Sequence, residues 1–310
     1  MKRFTFIFAL LLATATMMAE EFKVGNLTFR IINFDEVELS KADASITSIS
    51  LNPTITNNGI TYKVTTIGFH AFKDCTSLTF ITLPNSVTSI GCAAFKDCTS
   101  LTSITLPNSV TSIELLAFYG CDALTSVTIP NSVKSIGESA FYGCKGLTSI
   151  TIPNSVTYIG KSAFAWCRGL TSIIIPESVT SIEEGAFYGC RGLTSITIPN
   201  SVTYIGEEAF YSCTGMTSVT IGNSVKSIGK KAFAFCFGLT SITIPNSVRM
   251  IGNKAFKGCY DLTDVTIGNS IAMIGNKAFQ WCGSLTEVVV PEYTKIKRSA
   301  FPKHTEIIRE

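Results

Sequence analysis

The feature that most constrains this 310-residue sequence is a repeat of 23 residues that covers most of its length. Its clearest marker is a phenylalanine that occurs ten times at this interval and once more after 22 residues. A fixed period of this size indicates a solenoid, in which each repeat forms one coil and buries its apolar face against its neighbours. The repeat therefore overrides the two-domain organisation that length alone favours. The phenylalanines are Phe72, Phe95, Phe118, Phe141, Phe164, Phe187, Phe210, Phe233, Phe256, Phe279 and Phe301.

One repeat contains two extended segments and a tight turn. Apolar and polar residues alternate over residues 147–152, which predicts a half-buried strand. Pro153 ends this strand because proline cannot donate to a strand ladder, and residues 154–159 supply a bend and a second short extended segment. Over residues 138–144 the apolar spacing predicts one helical or 3₁₀ turn. The repeat thus predicts an α/β-type solenoid dominated by short strands, a rod of about ten coils with an N-terminal β cap.

The chain is predicted to divide into three segments. Residues 1–19 have a basic start, a short apolar run and small residues at its end, which is typical of a signal peptide. Residues 20–66 lack the full repeat but show strand-like alternation and a hairpin signal at residues 56–62, so we expect a cap. Residues 67–310 are expected to form the solenoid. No run after residue 19 approaches the ~20 apolar residues of a membrane span, so none is predicted after signal removal.

The repeat also resembles a known family. Its pattern is Ile-Gly-x-x-Ala-Phe-x-x-Cys-x-x-Leu-Thr-x-Ile-x-Ile-Pro-x-Ser-Val. This pattern is similar to the BspA-type leucine-rich repeat of bacterial surface proteins, and the similarity covers about residues 46–310. The resemblance implies a leucine-rich repeat rod in an exported, surface-associated protein that adheres to host molecules or to other cells. Periodicity by itself indicates the solenoid and not the adhesion.

Cysteine and serine each occupy one position of the repeat. Export would permit disulfides, and the coil spacing falls within disulfide reach, but each cysteine would face two equivalent neighbours. We interpret the column as buried free thiols, with disulfide bonding left open as the alternative. Cys92 falls outside the column and is expected to be at least partly exposed. The serines lack a recurring base and are expected to bond backbone groups of the adjacent coil. The cysteine column is Cys75, Cys98, Cys121, Cys144, Cys167, Cys190, Cys213, Cys236, Cys259 and Cys282.

Charge and composition limit the functions open to this chain. Its formal charge is only +3, which argues against a general nucleic-acid binder. The only two histidines, His70 and His304, lie at opposite ends, and the Glu-Glu pairs at residues 183–184 and 207–208 are expected to be solvated surface. The Ser/Thr face of the strands is interpreted as a solubilising surface; it also resembles ice-binding arrays, but solenoid curvature opposes a flat lattice match. We therefore predict a protein that is not an enzyme and has no cofactor or metal.

The candidate binding residues lie at variable positions of the repeat. Aromatic residues follow the repeat phenylalanine and are expected to form a stripe on the turn side, where exposed rings contribute to binding. The alternative is that they pack over the turn of the next coil. Residues 226–310 hold 12 basic and 6 acidic residues, so the C-terminal coils offer a basic face for anionic ligands. The candidates are Tyr119, Tyr142, Trp166, Arg168, Tyr188, Arg191, Tyr211, Phe235, Trp281, Lys230, Lys231 and Lys254.

Together these features predict an exported, non-enzymatic binding protein, either at the cell surface or secreted. The favoured hypothesis is an adhesin that engages an extracellular protein or glycoprotein. The alternatives are a carbohydrate-binding solenoid, for which polysaccharide is the ligand, and a structural spacer of the cell envelope. A periplasmic location is compatible with the same export signal.

Overall fold

The computed structural model of the protein describes residues 20–310 and forms a β-solenoid of about 12 turns. The predicted signal peptide, residues 1–19, lies outside the described residues. The predicted solenoid with coils of about 23 residues is confirmed. Residues 20–310 contain short strands and turns but no helix, so the predicted dominance of short strands holds and the α component of the predicted α/β-type solenoid is absent from this part of the chain.

The strands are short and follow one another at regular intervals. In chain order they are β1 (Glu21–Val24), β2 (Leu27–Ile31), β3 (Glu36–Ala42), β4 (Ser48–Ser50), β5 (Thr54–Asn57), β6 (Ile60–Ile67), β7 (Phe80–Thr82), β8 (Ser89–Ile90), β9 (Ser103–Thr105), β10 (Ser112–Ile113), β11 (Ser126–Thr128), β12 (Ser135–Ile136), β13 (Ser149–Thr151), β14 (Tyr158–Ile159), β15 (Ser172–Ile174), β16 (Ser181–Ile182), β17 (Ser195–Ile198), β18 (Tyr204–Ile205), β19 (Ser218–Ile221), β20 (Ser227–Ile228), β21 (Ser241–Ile244), β22 (Met250–Ile251), β23 (Asp264–Ile267), β24 (Met273–Ile274), β25 (Glu287–Val290), β26 (Lys295–Ile296) and β27 (Glu306–Arg309).

Within the repeats the strands form two parallel columns along the rod. The first column contains the odd-numbered strands from β7 onward, and the second contains the even-numbered strands from β8 onward. Paired residues are one repeat apart: Ser103 pairs with Ser126 in the first column, and Ile136 pairs with Ile159 in the second. Each side chain of a coil therefore lies beside its equivalents in the coils before and after.

The N-terminal strands join directly onto both columns. Strands β1, β2 and β3 are antiparallel, and β5 and β6 form a hairpin whose turn residues Asn58 and Gly59 have φ of 50° and 80°. These positive angles suit a two-residue hairpin turn. Strand β6 extends past residue 66, the predicted end of the cap, and pairs with β8 of the second column. Strand β4 pairs with β7 of the first column. The N-terminal sheet thus covers the first coil, and its core includes Phe29, Leu39 and Tyr62.

The segment around each repeat phenylalanine is a series of β-turns, so the predicted helical or 3₁₀ turn is wrong. The amides of Leu116, Phe118 and Gly120 donate to carbonyls of the next coil at 2.8–3.0 Å. The intervening amides of Ala117 and Tyr119 donate to carbonyls three residues back. Leu116 and Gly120 have φ of 57° and 70°, outside the helical region. A helix cannot form here because every second amide is used to hold the neighbouring coil.

A continuous stack of phenylalanines occupies the core. Successive rings from Phe72 to Phe301 have centroids 5.0–5.6 Å apart and planes within 2–8° of parallel. The ten rings from Phe72 to Phe279 are completely buried. Burying one such ring contributes about 1.5–3 kcal/mol, and the stacking adds about 0.5–1.5 kcal/mol. Columns of Ala, Val, Ile and Leu surround the stack, so the core is as periodic as the sequence.

In most coils a glycine follows the second-column strand, where adjacent coils approach closely; Glu114 and Glu183 occupy this position in two coils. A Cβ atom built on Gly160 would lie 2.6 Å from the amide nitrogen of Glu138 in the preceding coil. The same clash, at 2.7 Å, would occur at Gly137 and Gly206. Gly283, in contrast, has no heavy atom within 4 Å of such a Cβ.

We expect Gly160→Ala to lower the free energy of unfolding by about 1–3 kcal/mol, because the backbone of two coils must separate to admit the methyl group. The matched control, Gly283→Ala, should change it by less than about 0.5 kcal/mol. Urea unfolding followed by circular dichroism measures both. Equal stability of the two variants would contradict the close coil contact.

Candidate functional site

Seven aromatic side chains form one row on the turn side, which we call the aromatic stripe. Its members occupy the first or second position after the repeat phenylalanine. The Tyr119 and Tyr142 rings stack with centroids 4.8 Å apart, and Tyr188 and Tyr211 repeat this geometry at the same distance. The aromatic stripe is Tyr119, Tyr142, Trp166, Tyr188, Tyr211, Phe235 and Trp281.

Trp166 and Phe235 fit into the stripe because the residue one repeat later, at the same position of the next coil, is a glycine in both cases: Gly189 and Gly258. A Cβ atom on Gly189 would lie 3.0 Å from the Trp166 ring, and one on Gly258 would lie 2.7 Å from the Phe235 ring. Each ring therefore lies over the bare backbone of its neighbour. This arrangement keeps the row continuous: Trp166 contacts Tyr188 at 5.3 Å between centroids.

The stripe is half-buried, so the rings both pack on one another and present surface to solvent. Six members have intermediate exposure, and Trp281 is 51% exposed. Burial raises the pKa of the Tyr142 and Tyr188 phenols, and the adjacent tyrosine of each pair raises it further. The two alternatives left open by the sequence therefore apply together: these side chains stabilise the turns and form a surface.

Basic side chains lie against the faces of the two tryptophans. The guanidinium carbons of Arg168 and Arg191 are 5.0 and 5.9 Å from the Trp166 ring centroid. The Lys257 ammonium is 3.8 Å from the centroid of Trp281. Such cation–π contacts contribute about 0.5–1 kcal/mol at exposed sites. They also fix the orientation of both rings before any ligand arrives.

Two further aromatic residues extend the stripe sideways, and sequence reasoning missed them. Phe237 contacts Phe235 edge-on at 6.1 Å and stacks on Tyr260 at 5.2 Å. Both are exposed. They occupy the repeat position of Arg168 and Arg191, and aligning that variable column in the sequence would have found them.

The three predicted lysines have different surroundings. Lys230 forms an ion pair with Glu207, and Lys231 donates to Glu208 at 2.5 Å. This hydrogen bond raises the pKa of Lys231. Lys254 has no acidic side chain within 4.0 Å among residues 20–310.

Lys254 lies instead at a cavity of about 660 Å³ near the C-terminal end of the turn side. Lys277 and Arg298 also line this cavity. Arg298 was not predicted, because the one-residue deletion before Phe301 shifts it out of the 23-residue register.

The cysteine column consists of free thiols that donate to backbone carbonyls. Cys121 Sγ, for example, lies 3.1 Å from the carbonyl oxygen of Phe95, and eight of the other column members repeat this contact at 3.0–3.2 Å. Burial raises the pKa of Cys75 to about 11 and that of Cys190 and Cys236 to about 12. Such thiols are poor nucleophiles, which favours a structural role. Cys92 is partly exposed, as predicted.

Several members of the serine column form hydrogen bonds with backbone carbonyls of the adjacent coil, as predicted. Ser132 and Ser155 donate to the carbonyls of Val110 and Val133 at 2.6 and 2.7 Å. Ser86 and Ser247 have buried hydroxyl oxygens without a partner. The bonded hydroxyls of Ser132 and Ser155 thus satisfy backbone carbonyls of the preceding coil.

Neither a metal cluster nor a membrane-spanning helix occurs among residues 20–310. The Glu-Glu pairs engage in surface contacts: Glu184 accepts from Lys161 at 3.2 Å, and Glu183 accepts from Ser181 at 2.7 Å. The geometry of the turn side thus offers rings, cations and amides for binding.

The comparisons with known proteins agree with this geometry. Two overlapping segments, residues 65–194 and 180–308, match the family described as BspA type leucine rich repeat region. A leucine-rich repeat protein from Bacteroides ovatus is 28% identical, with a TM-score of 0.56 and coverage of 93% of this chain and 99% of that one. A Treponema pallidum leucine-rich repeat protein is 27% identical, with a TM-score of 0.55 and coverage of 71% and 91%. No functionally curated protein matches the sequence significantly.

A pneumococcal vaccine antigen, PcpA, is 18% identical, with a TM-score of 0.50 and coverage of 94% and 99%, and it shows the fold alone. The fold and its repeats define a leucine-rich repeat solenoid. The chain belongs to the BspA-type leucine-rich repeat family. This family and its leucine-rich repeat neighbours are in general non-enzymatic binding scaffolds.

The raised pKa of the column cysteines predicts a loss of stability at alkaline pH. Above its ordinary pKa of 9.0 a thiol ionises in the unfolded chain, whereas folded Cys190 keeps its proton up to about pH 12. The unfolded state then binds fewer protons, so the free energy of unfolding falls as pH rises. Between about pH 9 and pH 11 the wild type should lose about 2 kcal/mol more than Cys190→Ala.

Denaturant unfolding at several pH values measures this difference. Val202→Ala, which truncates a buried side chain without removing a titratable group, is the control and should keep the wild-type pH dependence. Identical pH profiles of the wild type and Cys190→Ala would contradict the buried-thiol interpretation.

Proposed function

We propose that this chain is an exported adhesion module, secreted or at the cell surface, that binds an extracellular protein or glycoprotein through the aromatic stripe. Membership of a family of binding scaffolds supports this proposal. The observation that carries it is the row of half-exposed rings flanked by arginine and lysine on the turn side. Tyr, Trp and Arg are the side chains most enriched at the energetic centres of protein interfaces.

The export step of the proposal rests on the sequence of residues 1–19, which has the order of features of a signal peptide. Cleavage there would release a mature chain made of a cap, residues 20–66, and a solenoid, residues 67–310. An exported rod of this kind would present its turn side to extracellular partners.

The turn side is favoured over the strand side by its sequence variety. First-column strands present nearly the same Ser and Thr residues in each coil, whereas the stripe positions differ from coil to coil. Because these exposed side chains differ from coil to coil, they form a surface that one ligand can bind specifically. An exposed isoleucine, Ile174, interrupts the Ser/Thr face but has no aromatic or charged residue beside it in its strand.

The stripe is suited to bind without reorganising. Its rings are held by their stacking contacts, and the tryptophans are also held by cations, so little side-chain entropy is lost on binding. From Tyr119 to Trp281 it spans seven coil spacings, on the order of 35 Å at the strand separation of parallel sheets. A surface of this length fits an extended face of a protein ligand.

A second candidate function is carbohydrate binding by the same rings, which is favoured by the 51% exposure of Trp281. Free sugar would compete with this mode but would leave a contact with protein intact.

To test the proposal, residues 20–310 would be immobilised and titrated with a panel of extracellular-matrix glycoproteins. We expect saturable binding that Tyr142→Ala, Trp166→Ala and Tyr188→Ala, introduced together, weaken at least about tenfold, because half-buried aromatic anchors dominate interface energy. Absence of saturable binding to every panel member would contradict the adhesion proposal.

Two further variants keep this test interpretable. Tyr158→Ala with Tyr204→Ala removes exposed rings from second-column strands and should leave the affinity unchanged. Arg168→Gln with Arg191→Gln removes exposed cations without opening the stripe and should weaken binding while preserving the melting temperature. If the triple variant unfolds and the arginine pair has no effect, the rings act only in packing.

A further inference from the structure

The last coils carry an unbalanced positive charge on their turn side. Residues 252–259, 275–282 and 297–304 contain six basic and no acidic residues. The acidic residues of these coils lie elsewhere, and half of them, Asp264, Glu287 and Glu306, are on first-column strands. This separation of charge creates a positive surface even though the whole chain is near neutrality.

Within this surface, lysine occupies the same repeat position in three successive coils. Lys231, Lys254 and Lys277 follow one another at the spacing of stacked strands, ~4.8 Å at the backbone. Glu208 neutralises Lys231, but residues 20–310 provide no acidic partner within 4.0 Å of the other two. Like charges at this spacing repel one another, so the fold alone does not favour lysine here.

The backbone at these positions makes lysine still less favourable. Lys254 and Lys277 have φ of 59° and 58°, a left-handed conformation that glycine adopts at lower cost. Earlier coils carry Ser162 and Gly185 at the same position. Two lysines therefore persist where both electrostatics and backbone conformation favour a neutral, small residue.

These lysines and Arg298 surround the cavity of about 660 Å³ together with neutral amides. Asn253 and Asn276 line it, and the side-chain oxygen of Asn253 accepts a hydrogen bond from the backbone N–H of Asn276 at 2.8 Å. Burial lowers the pKa of the adjacent Lys257, and Lys254, Lys277 and Lys231 lower it further, in agreement with a positive local potential.

We propose that this cavity is a binding site for an anionic polysaccharide, with sulfate or carboxylate groups on Lys254, Lys277 and Arg298. The column of cations requires a ligand that extends along the rod with repeated anionic groups. The asparagine amides suit sugar hydroxyls. Trp281, which follows the cavity residue Gln280, is half exposed, and a sugar ring can stack on the part of its ring that Lys257 leaves open. The site does not depend on a protein ligand at the aromatic stripe.

Heparin oligosaccharides are the probe, titrated against residues 20–310 by calorimetry. We expect saturable binding that weakens as salt rises, because screening reduces each charge contact. The variant with Lys254→Gln, Lys277→Gln and Arg298→Gln should raise the Kd about tenfold or more, since three charge-assisted contacts are lost. Desulfated heparin should bind much more weakly than heparin.

The matched control is Lys226→Gln, Arg249→Gln and Lys295→Gln. These three basic residues are exposed in the same C-terminal coils, at or just before the second-column strands, so the control removes the same net charge from another face. An equal loss of affinity in both triple variants would overturn the site and indicate general attraction.

Absence of heparin binding to the wild type would also overturn the proposal. Equal or tighter binding of poly-glutamate or polyphosphate would overturn the assignment to polysaccharide. The stripe variant with Tyr142, Trp166 and Tyr188 replaced should keep its affinity for heparin, so failure of the adhesion proposal and failure of this one give different results.

Discussion

The pairing of every coil with its equivalents one repeat away is the constraint on which the rest of this structure depends. Parallel ladders in the two strand columns and the inter-coil bonds of the turn segment place each residue beside two near-copies of itself. A side chain therefore fits a repeat position only if it can pack against the same or a similar side chain in the coils before and after. Phenylalanine does so by stacking, cysteine by donating to a carbonyl of the preceding coil, and glycine by leaving room for a backbone.

The same constraint governs the charged positions. Ion pairs form between residues 23 apart, as in Asp122 with Lys145 and Glu207 with Lys230. Exposed pairs of this kind contribute only up to about 1 kcal/mol each, but they remove the repulsion that identical charges would cause. Lys254 and Lys277 have no such acidic partner among residues 20–310, and no requirement of the fold explains them.

The sequence was informative wherever the repeat alone determines the environment. It predicted the solenoid, the strand columns and the thiol column, because these follow from periodicity and polarity. The turn was mispredicted because the spacing of Ala117 and Phe118 suits a helix locally, while the bonds that prevent one come from another coil. Phe237 and Tyr260 were missed because arginine occupies their repeat position in earlier coils, and Arg298 was missed because the deletion before Phe301 shifts it out of the 23-residue register.

The division between fixed and variable columns bears on how such a rod acquires a ligand. Core positions cannot vary without disturbing two neighbouring coils, whereas the turn-side positions can change one coil at a time at small cost in packing. New contacts therefore accumulate on the turn side, and adjacent coils combine them into one continuous surface. In this chain that surface changes from aromatic to basic where Lys257 covers Trp281. A ligand that carries both an apolar protein face and an anionic glycan would contact the two parts together, and the first contact would raise the effective concentration of the second.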